Sequence, residues 1–257
     1  MKNYFNLKGQ VAIVTGCSTG LGVQMAKALA NQGANIVAVA RRQNLIDEVA
    51  DNIAKEFNVK TLAVRCDITD TDAVNEMIDK VLEVFGRIDI VVNNAGTGAV
   101  APAEDITDDQ FYNEMNIDLF GSFRVARAAA KKAMIPQKYG RVINIASMYG
   151  LVGNKVAGSA PYHAAKGGVV NLTRALASEW GKYNITVNSI CPGYFYTDLT
   201  RETLDSDFFQ ANAKTMIPEE RYGKEGELDS AVLFFAAPES SYVTGVNLPV
   251  DGGYTAM

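Results

Sequence analysis

The sequence predicts an α/β fold, a single doubly wound parallel sheet flanked by helices, and three observations support this. Short apolar runs rich in Val and Ile recur from residues 11–15 to residues 246–250, as expected for strands covered on both faces. Segments with apolar residues at helical spacing lie between them, and strands that alternate with helices form parallel sheets. Neither a repeat nor a linker interrupts residues 1–257, so we expect one domain.

The composition argues against several classes of protein. The net charge is −5 and no block of basic residues occurs, so we expect neither a nucleic-acid nor a membrane partner. Cys17, Cys66 and Cys191 are odd in number and far apart, which suits a reducing compartment and argues against a disulfide framework or a thiolate metal site. The first residues carry no apolar leader segment and no run is long enough to span a bilayer, so we expect a cytoplasmic protein.

A glycine-rich turn follows the first strand, 11–15, and precedes a helical pattern. Backbone N–H groups in such a turn, together with the helix N-terminus, hold a pyrophosphate, and the glycines let it approach the backbone. The alternative is a turn without a ligand. Gly16, Ser18 and Gly20 also match the nucleophile elbow of serine hydrolases, but the only histidine is His163, which makes that alternative weak. The predicted contacts in this turn are Gly16, Ser18, Thr19, Gly20, Leu21 and Gly22.

The second strand, 35–40, ends in Arg41 and Arg42. An acidic residue here would bind the ribose 2′-hydroxyl of NAD, whereas arginine suits the 2′-phosphate of NADP. The sequence therefore favours NADP, with NAD as the alternative cofactor and solvated arginines as the alternative interpretation.

Further polar segments follow the third and fourth strands, 61–65 and 88–92. A helical pattern that closes at Gly86 separates these strands. Ligands of parallel sheets bind at the carboxyl ends of the strands, so the residues that follow each strand should share one edge of the sheet. The predicted contacts from these two segments are Asp67, Ile68, Asn94, Ala95 and Gly96.

Tyr162 and Lys166 are four residues apart and share one face of a predicted helix, 162–182. A nearby ammonium favours the phenolate and lowers the pKa of a tyrosine from about 10 toward working pH. Ser147 ends the apolar run 141–146, and its hydroxyl and the phenol would together cradle a carbonyl oxygen. Tyr4 and Lys8 have the same spacing without such a serine, and we interpret that pair as coincidental. The alternative is that Ser147 and Tyr162 are ordinary strand-cap and helix-surface residues.

Taken together, these segments closely resemble the short-chain dehydrogenase/reductase family over essentially the whole chain. The motifs that carry the resemblance are Thr15-Gly16-x-x-x-Gly20-x-Gly22, Asn93-Asn94-Ala95-Gly96, Ser147, Tyr162-x-x-x-Lys166 and Pro192-Gly193. The resemblance implies a Rossmann-type sheet, an NAD(P) cofactor and hydride transfer between a secondary alcohol and a ketone. It makes Tyr162 the acid/base, Lys166 the residue that lowers its pKa and holds the nicotinamide ribose, and Ser147 the partner of the substrate oxygen.

The resemblance implies further roles that the residues alone do not. Asn116, in a predicted long helix at 108–132, matches the family's active-site asparagine, which holds a water in a proton relay to the lysine. Without the resemblance, Asn116 would be a helix-surface amide. Pro192 and Gly193 would lie over the nicotinamide, and Thr197 would contact its carboxamide. The family often forms tetramers through its two long helices, so we expect a homotetramer.

The substrate is predicted from weaker similarities. Segments 143–148, 184–188, 192–195 and 217–223 look most like the sugar-acid branch of the family, the gluconate 5-dehydrogenases and deoxygluconate dehydrogenases. A carboxylate substrate needs a cation, and the candidates are Lys155, Arg201 and Arg221.

Residues 194–222 show no clean periodicity and are predicted to form a substrate lid rich in aromatic residues; the alternative is a core-packing excursion. Such a lid would equally suit a bulky apolar, steroid-like ketone, and a 3-oxoacyl thioester is a further alternative. The non-enzyme alternative is a catalytically silent dinucleotide-binding regulator.

Overall fold

The computed structural model describes residues 4–98, 100–154, 158–197 and 200–257, and it has the predicted architecture. Seven parallel strands form one sheet in the order β3-β2-β1-β4-β5-β6-β7. The strands are β1 (Val11–Thr15), β2 (Asn35–Ala40), β3 (Thr61–Arg65), β4 (Ile90–Asn93), β5 (Gly140–Ile145), β6 (Ile185–Pro192) and β7 (Asn247–Val250). From β1 the chain adds β2 and β3 on one side, and from β4 it adds β5, β6 and β7 on the other side. Ligands of such sheets bind at this point, where the strand order reverses.

Helices cover both faces of this sheet. In chain order they are α1 (Gly20–Asn31), α2 (Gln43–Phe57), α3 (Thr71–Phe85), α4 (Asp108–Glu114), α5 (Ser122–Ala129), α6 (Ile135–Gln137), α7 (Ala160–Trp180), α8 (Arg201–Leu204), α9 (Asp207–Met216) and α10 (Asp229–Ala236). None of the helices in the described ranges is long and apolar enough to cross a bilayer.

Two predicted segments differ from the structure. The helix expected at 108–132 extends to Gln137, but its turns Met115–Gly121 and Ala130–Met134 are π-helical. The stretch 194–222, which lacks clean periodicity, contains α8 and α9. Ser206 caps α9 by accepting the N–H of Phe209 at 3.2 Å, and Phe209 is buried with Leu204 and Ile217. These helices are too short for the apolar pattern to stand out in the sequence.

The two cores lie on opposite faces of the sheet because successive strand residues point to opposite sides. Val11 and Ile13 pack into the core that contains α3, α5 and α7, whereas Ala12 and Val14 pack into the core that contains α1 and α10. All five residues of β1 are buried. This double burial explains why the strands read as continuous apolar runs rather than as alternating ones.

Asp89 joins the amino ends of the two central strands. Its side chain is fully buried, and Oδ2 accepts hydrogen bonds from the N–H of Val11 at 2.9 Å and from Nε of Arg87 at 2.8 Å. Nη2 of Arg87 donates to Oδ1 at 2.7 Å. The bond to Val11 fixes β4 beside β1, with Ala12 opposite Ile90, and so sets how their carboxyl ends meet at the other edge.

Replacement of Asp89 by alanine should therefore lower the free energy of unfolding by about 2 kcal/mol, because the Val11 N–H loses its buried acceptor. Urea denaturation measures this loss. The matched control is Asp79→Ala, which removes an equally short ion pair to Lys132 whose carboxylate is 63% exposed; that loss should stay below about 1 kcal/mol. Equal losses in the two variants would contradict the assignment.

Candidate active site

A cavity of about 990 Å³ opens at the carboxyl ends of the central strands. It is lined by the turn after β1, the ends of β2 and β3, the loop after β4, the end of β5, and α7. All the predicted cofactor residues except Gly22 line it; they are Gly16, Ser18, Thr19, Gly20, Leu21, Arg41, Arg42, Asp67, Ile68, Asn94, Ala95, Gly96, Tyr162, Lys166, Pro192, Gly193 and Thr197. Ser147 lines it as well. Residues that are 181 positions apart in the chain, Gly16 and Thr197, therefore face one space.

The glycine turn is shaped by contacts that leave no room for side chains. Gly16 has φ +66° and Gly20 has φ +62°, in the region that favours glycine. A Cβ on Gly16 would lie 2.8 Å from Cα of Ala95. Gly22 does not line the cavity; a Cβ there would lie 2.5 Å from the Gly16 carbonyl oxygen, so this glycine lets α1 pack directly on the turn. The N-terminus of α1 consequently faces the cavity, as an anion site requires.

Thr15 and Asn94 hold this turn against the loop after β4. Oγ1 of Thr15 accepts the backbone N–H groups of Asn94 and Ala95, each at 3.0 Å. Nδ2 of Asn94 donates to the carbonyl oxygens of Thr15 at 3.0 Å and Gly16 at 3.3 Å. The side-chain amide of Asn94 thus shapes the turn, a role that its place in the sequence motif does not indicate.

Two arginines stand at the end of the cavity nearest β2. Arg41 and Arg42 are exposed, and Nη2 of Arg42 donates to Oγ of Ser18 at 2.9 Å. The neighbouring Asp67 has a pKa below its ordinary value, because Thr69 donates to its carboxylate and Arg41 adds a favourable charge, against the effect of burial. A guanidinium held beside a hydroxyl is a suitable site for a phosphate.

Ser147, Tyr162 and Lys166 converge on the opposite end of the cavity. Ser147 follows β5, where its Oγ accepts the N–H of Tyr149 at 3.1 Å and also hydrogen-bonds the hydroxyl of Tyr162. Lys166 lies in the buried stripe of α7 and is 4% exposed. Its Nζ donates to the carbonyl oxygen of Ile145 at 3.1 Å. The serine, the phenol and the ammonium are therefore one connected group.

The pKa of Tyr162 differs from the sequence-based expectation. Burial raises it, and although Lys166 and the hydrogen bond from Ser147 lower it, the net pKa lies above the ordinary value. Lys166 thus lowers the pKa of Tyr162, as the sequence predicts, but burial has the larger effect. The pKa of Lys166 is itself raised: burial is the largest single effect and lowers it, but the charge and hydrogen bond of Asp118 together with the charges of Tyr162 and Glu114 outweigh burial.

The structure does not bring Asn116 to this group. Its Oδ1 accepts a hydrogen bond from Nη2 of Arg124 at 2.8 Å, and the residue does not line the cavity. Two residues further on, Asp118 is fully buried, with Oδ2 3.0 Å from Nζ of Lys166 and Oδ1 accepting the N–H of Thr97 at 2.8 Å. The π-helical turn changes which residues face inward, which a regular 3.6-residue period could not predict.

Other cavity residues were not predicted as site residues. They are Val39, Ala40, Cys66, Thr69, Thr97, Asn113, Ile117, Ile145, Ala146, Phe195 and Thr200. Of the predicted substrate cations, Lys155 lies outside the described residues, and Arg201 begins α8 without lining the cavity. Arg221 lines a separate cavity of about 350 Å³ and pairs with Glu219 and Glu227, each at 2.7 Å.

Comparisons with known proteins agree with this geometry. A family model described as enoyl-(acyl carrier protein) reductase matches residues 16–255. The chain is 36% identical to the 2-dehydro-3-deoxy-D-gluconate 5-dehydrogenase of Escherichia coli K12, with 98% of each chain covered. It is 34% identical to a 3-oxoacyl-(acyl-carrier-protein) reductase of Vibrio cholerae, covering 96% of this chain and 98% of that one.

Solved structures match over almost the whole length. A short-chain type dehydrogenase/reductase from Mycobacterium marinum is 38% identical, covers 99% of this chain and 98% of its own, and superposes with a TM-score of 0.94. A gluconate 5-dehydrogenase from Burkholderia cenocepacia J2315, solved in complex with NADP and tartrate, is 35% identical with the same coverage and a TM-score of 0.94. The chain therefore belongs to the short-chain dehydrogenase/reductase family of NAD(P)-dependent oxidoreductases, which act on CH–OH groups.

Proposed function

We propose that the protein is an NADP-preferring oxidoreductase that interconverts a secondary alcohol and a ketone by hydride transfer, with a sugar acid such as gluconate or 5-ketogluconate as its substrate. The observation that carries this proposal is the convergence of Ser147, Tyr162 and Lys166 on the cavity that also holds the glycine turn. Relatives and structures named as gluconate or deoxygluconate dehydrogenases support the choice of substrate.

The cavity residues fit NADP. The glycine turn and the N-terminus of α1 would hold the pyrophosphate, and Arg41, Arg42 and Ser18 would hold the 2′-phosphate. Pro192, Gly193 and Thr197 would flank the nicotinamide, and Asp67, Ile68 and the 94–96 loop would line the remaining wall. NADP bound there would supply or accept the hydride.

Proton transfer falls to the side chains at the other end of the cavity. Tyr162 would give its phenolic proton to a ketone oxygen, or take one from an alcohol, while Ser147 hydrogen-bonds the same oxygen. Lys166 would hold the ribose and favour the phenolate by its charge. Asn116 is not assigned a part, since its side chain is bonded to Arg124.

The segment 194–222 would close over the substrate. Tyr194 packs edge-on against Phe209 of α9, with ring centroids 4.8 Å apart, and its hydroxyl hydrogen-bonds that of Tyr149. Tyr149 follows Ser147 by two residues and donates its N–H to Oγ of Ser147 at 3.1 Å, so this aromatic group would lie near a substrate bound at Ser147. Its apolar ring faces are the observation that favours a second candidate substrate, a bulky apolar ketone or 3-oxoacyl thioester, which the similarity to 3-oxoacyl reductases also supports.

The protein would act as a cytoplasmic homotetramer assembled through the helical segment 108–132 and α7. Phe111, Tyr112 and Phe120 of the first segment are exposed in the single chain, and a second copy would cover such apolar side chains. Sedimentation as a monomer at micromolar concentration would refute this assembly.

Replacement of Tyr162 by phenylalanine should reduce turnover at least about hundredfold, because the acid/base is lost, while NADPH binding measured by fluorescence is unchanged. The matched control is Tyr4→Phe, since Tyr4 also precedes a lysine by four residues but does not line the cavity. Near-normal activity of Tyr162→Phe would overturn the mechanism.

Arg41→Ala and Arg42→Ala should each raise the KM for NADPH roughly tenfold or more, because a charge-assisted bond contributes about 1.5–3 kcal/mol. The KM for NADH should change little. Steady-state kinetics with both cofactors measure the ratio. Arg65→Ala, an exposed arginine at the end of β3 that does not line the cavity, is the control; a parallel loss with NADH would argue against a 2′-phosphate site.

The substrate is tested by NADPH and NADH oxidation with 5-ketogluconate beside a panel of bulky apolar ketones and a 3-oxoacyl thioester. Sugar-acid specificity predicts the highest kcat/KM for 5-ketogluconate with NADPH. Turnover confined to the apolar ketones or to the thioester would retain the mechanism and replace the substrate.

A further inference from the structure

Asp118 is a carboxylate placed directly behind the acid/base group. It lies in the π-helical turn Met115–Gly121 and is fully buried. Its Oδ2 is 3.0 Å from Nζ of Lys166, and its Oδ1 accepts the N–H of Thr97 at 2.8 Å. Because Lys166 of α7 and Thr97 of the loop after β4 each contact one oxygen, the carboxylate is fixed in orientation. Asp118 itself does not line the cavity, so it acts on the site through Lys166.

Building on the proposed function, we propose that Asp118 is a positioning residue that fixes Lys166 in place and partly offsets its charge toward Tyr162. The phenol then keeps its proton at neutral pH, and the site is set to donate a proton to a ketone rather than to accept one from an alcohol. The side chain that lies beside Lys166 is thus the Asp118 carboxylate and not the Asn116 amide to which the family resemblance assigns the relay.

The charged groups around Tyr162 support this inference. Lys166 on α7 favours the phenolate, as does the hydroxyl of Ser147 after β5, whereas Asp118 and the buried Glu114 at the end of α4 both favour the phenol. Behind Ser147, the thiol of Cys191 on β6 is neutral, because burial raises its pKa. Two carboxylates thus oppose one ammonium, and burial adds to their effect on the pKa of Tyr162.

Asp118→Asn isolates the charge. The amide keeps an oxygen for the Thr97 N–H and nearly the same volume, so the loop after β4 retains its anchor. Lys166 should stay protonated in the variant, because the Ile145 carbonyl accepts its N–H and the charge of Glu114 still acts in favour of the ammonium. The charge of Lys166 would then act on Tyr162 without the negative charge of Asp118 to offset it, and the pKa of Tyr162 should fall by about one unit.

The consequence for each reaction direction follows from the proton that it needs. Ketone reduction requires the phenol and declines as pH rises through the pKa of Tyr162, whereas alcohol oxidation requires the phenolate and increases through it. Asp118→Asn should therefore shift the pH profiles of both reduction and oxidation to lower pH by about one unit. Well below both pKa values, kcat/KM for oxidation should rise about tenfold.

The direct test is a titration that needs no substrate. Protein labelled with ¹³C at the tyrosine ring carbon that bears the hydroxyl is titrated by NMR, and the Tyr162 signal is assigned by its absence from Tyr162→Phe. Tyr162 should titrate at lower pH in Asp118→Asn than in the unaltered protein. The matched control is Asp89→Asn, which neutralises another fully buried, ion-paired aspartate, at the opposite edge of the sheet, and should leave this titration unchanged.

An unchanged or higher pKa of Tyr162 in Asp118→Asn would overturn the inference, as would an equal fall in Asp89→Asn. Circular dichroism and NADPH binding show whether Asp118→Asn remains folded. If the unaltered protein reduces no ketone and oxidises no alcohol, the proposed function fails, while the titration still decides the role of Asp118. If it is active and the pH profiles of the two proteins coincide, only this inference fails.

Discussion

The buried ammonium of Lys166 is the group on which the rest of the site depends. A charge that is 4% exposed is costly unless it is paired and hydrogen-bonded. Its partners come from two other elements, the Ile145 carbonyl of β5 and the Asp118 carboxylate of the π-helical turn. The hydrogen bond and ion pair of Lys166 therefore fix α7 against the sheet and against the 108–137 helical segment. Tyr162, one turn earlier on α7, is oriented by the same contacts.

The end of the cavity at the glycine turn depends on a second set of contacts, which are hydrogen bonds between polar side chains and the backbone. Asp89 holds the amino ends of β1 and β4 together, and Thr15 and Asn94 hold their carboxyl ends. The crevice between them exists because the chain turns in opposite directions from these two strands. The end proposed to hold phosphates and the end proposed to transfer the proton are thus parts of one cavity at one edge of the sheet.

Sequence and structure differ where local geometry departs from regular periods. In the helical segment 108–137, the apolar Phe111 is 37% exposed, while Glu114 and Asp118 are buried. The π-helical turn rotates the following residues, so that Asp118 rather than Asn116 reaches Lys166. The short helices α8 and α9 escape sequence-based prediction for a different reason, since helices of 4 and 10 residues that pack on their own small core carry little periodic signal.

The sequence alone determined the α/β class, the strands, the long helices and the majority of the residues that line the cavity. Apolar runs and a glycine turn are local features, and the family's motifs occur here in order, so that each could be found without coordinates. Only the tertiary structure decided which polar group is buried beside Lys166 and in which direction the pKa of Tyr162 is displaced. Both depend on distances and burial among residues far apart in the chain, and such electrostatic effects arise only when the chain has folded.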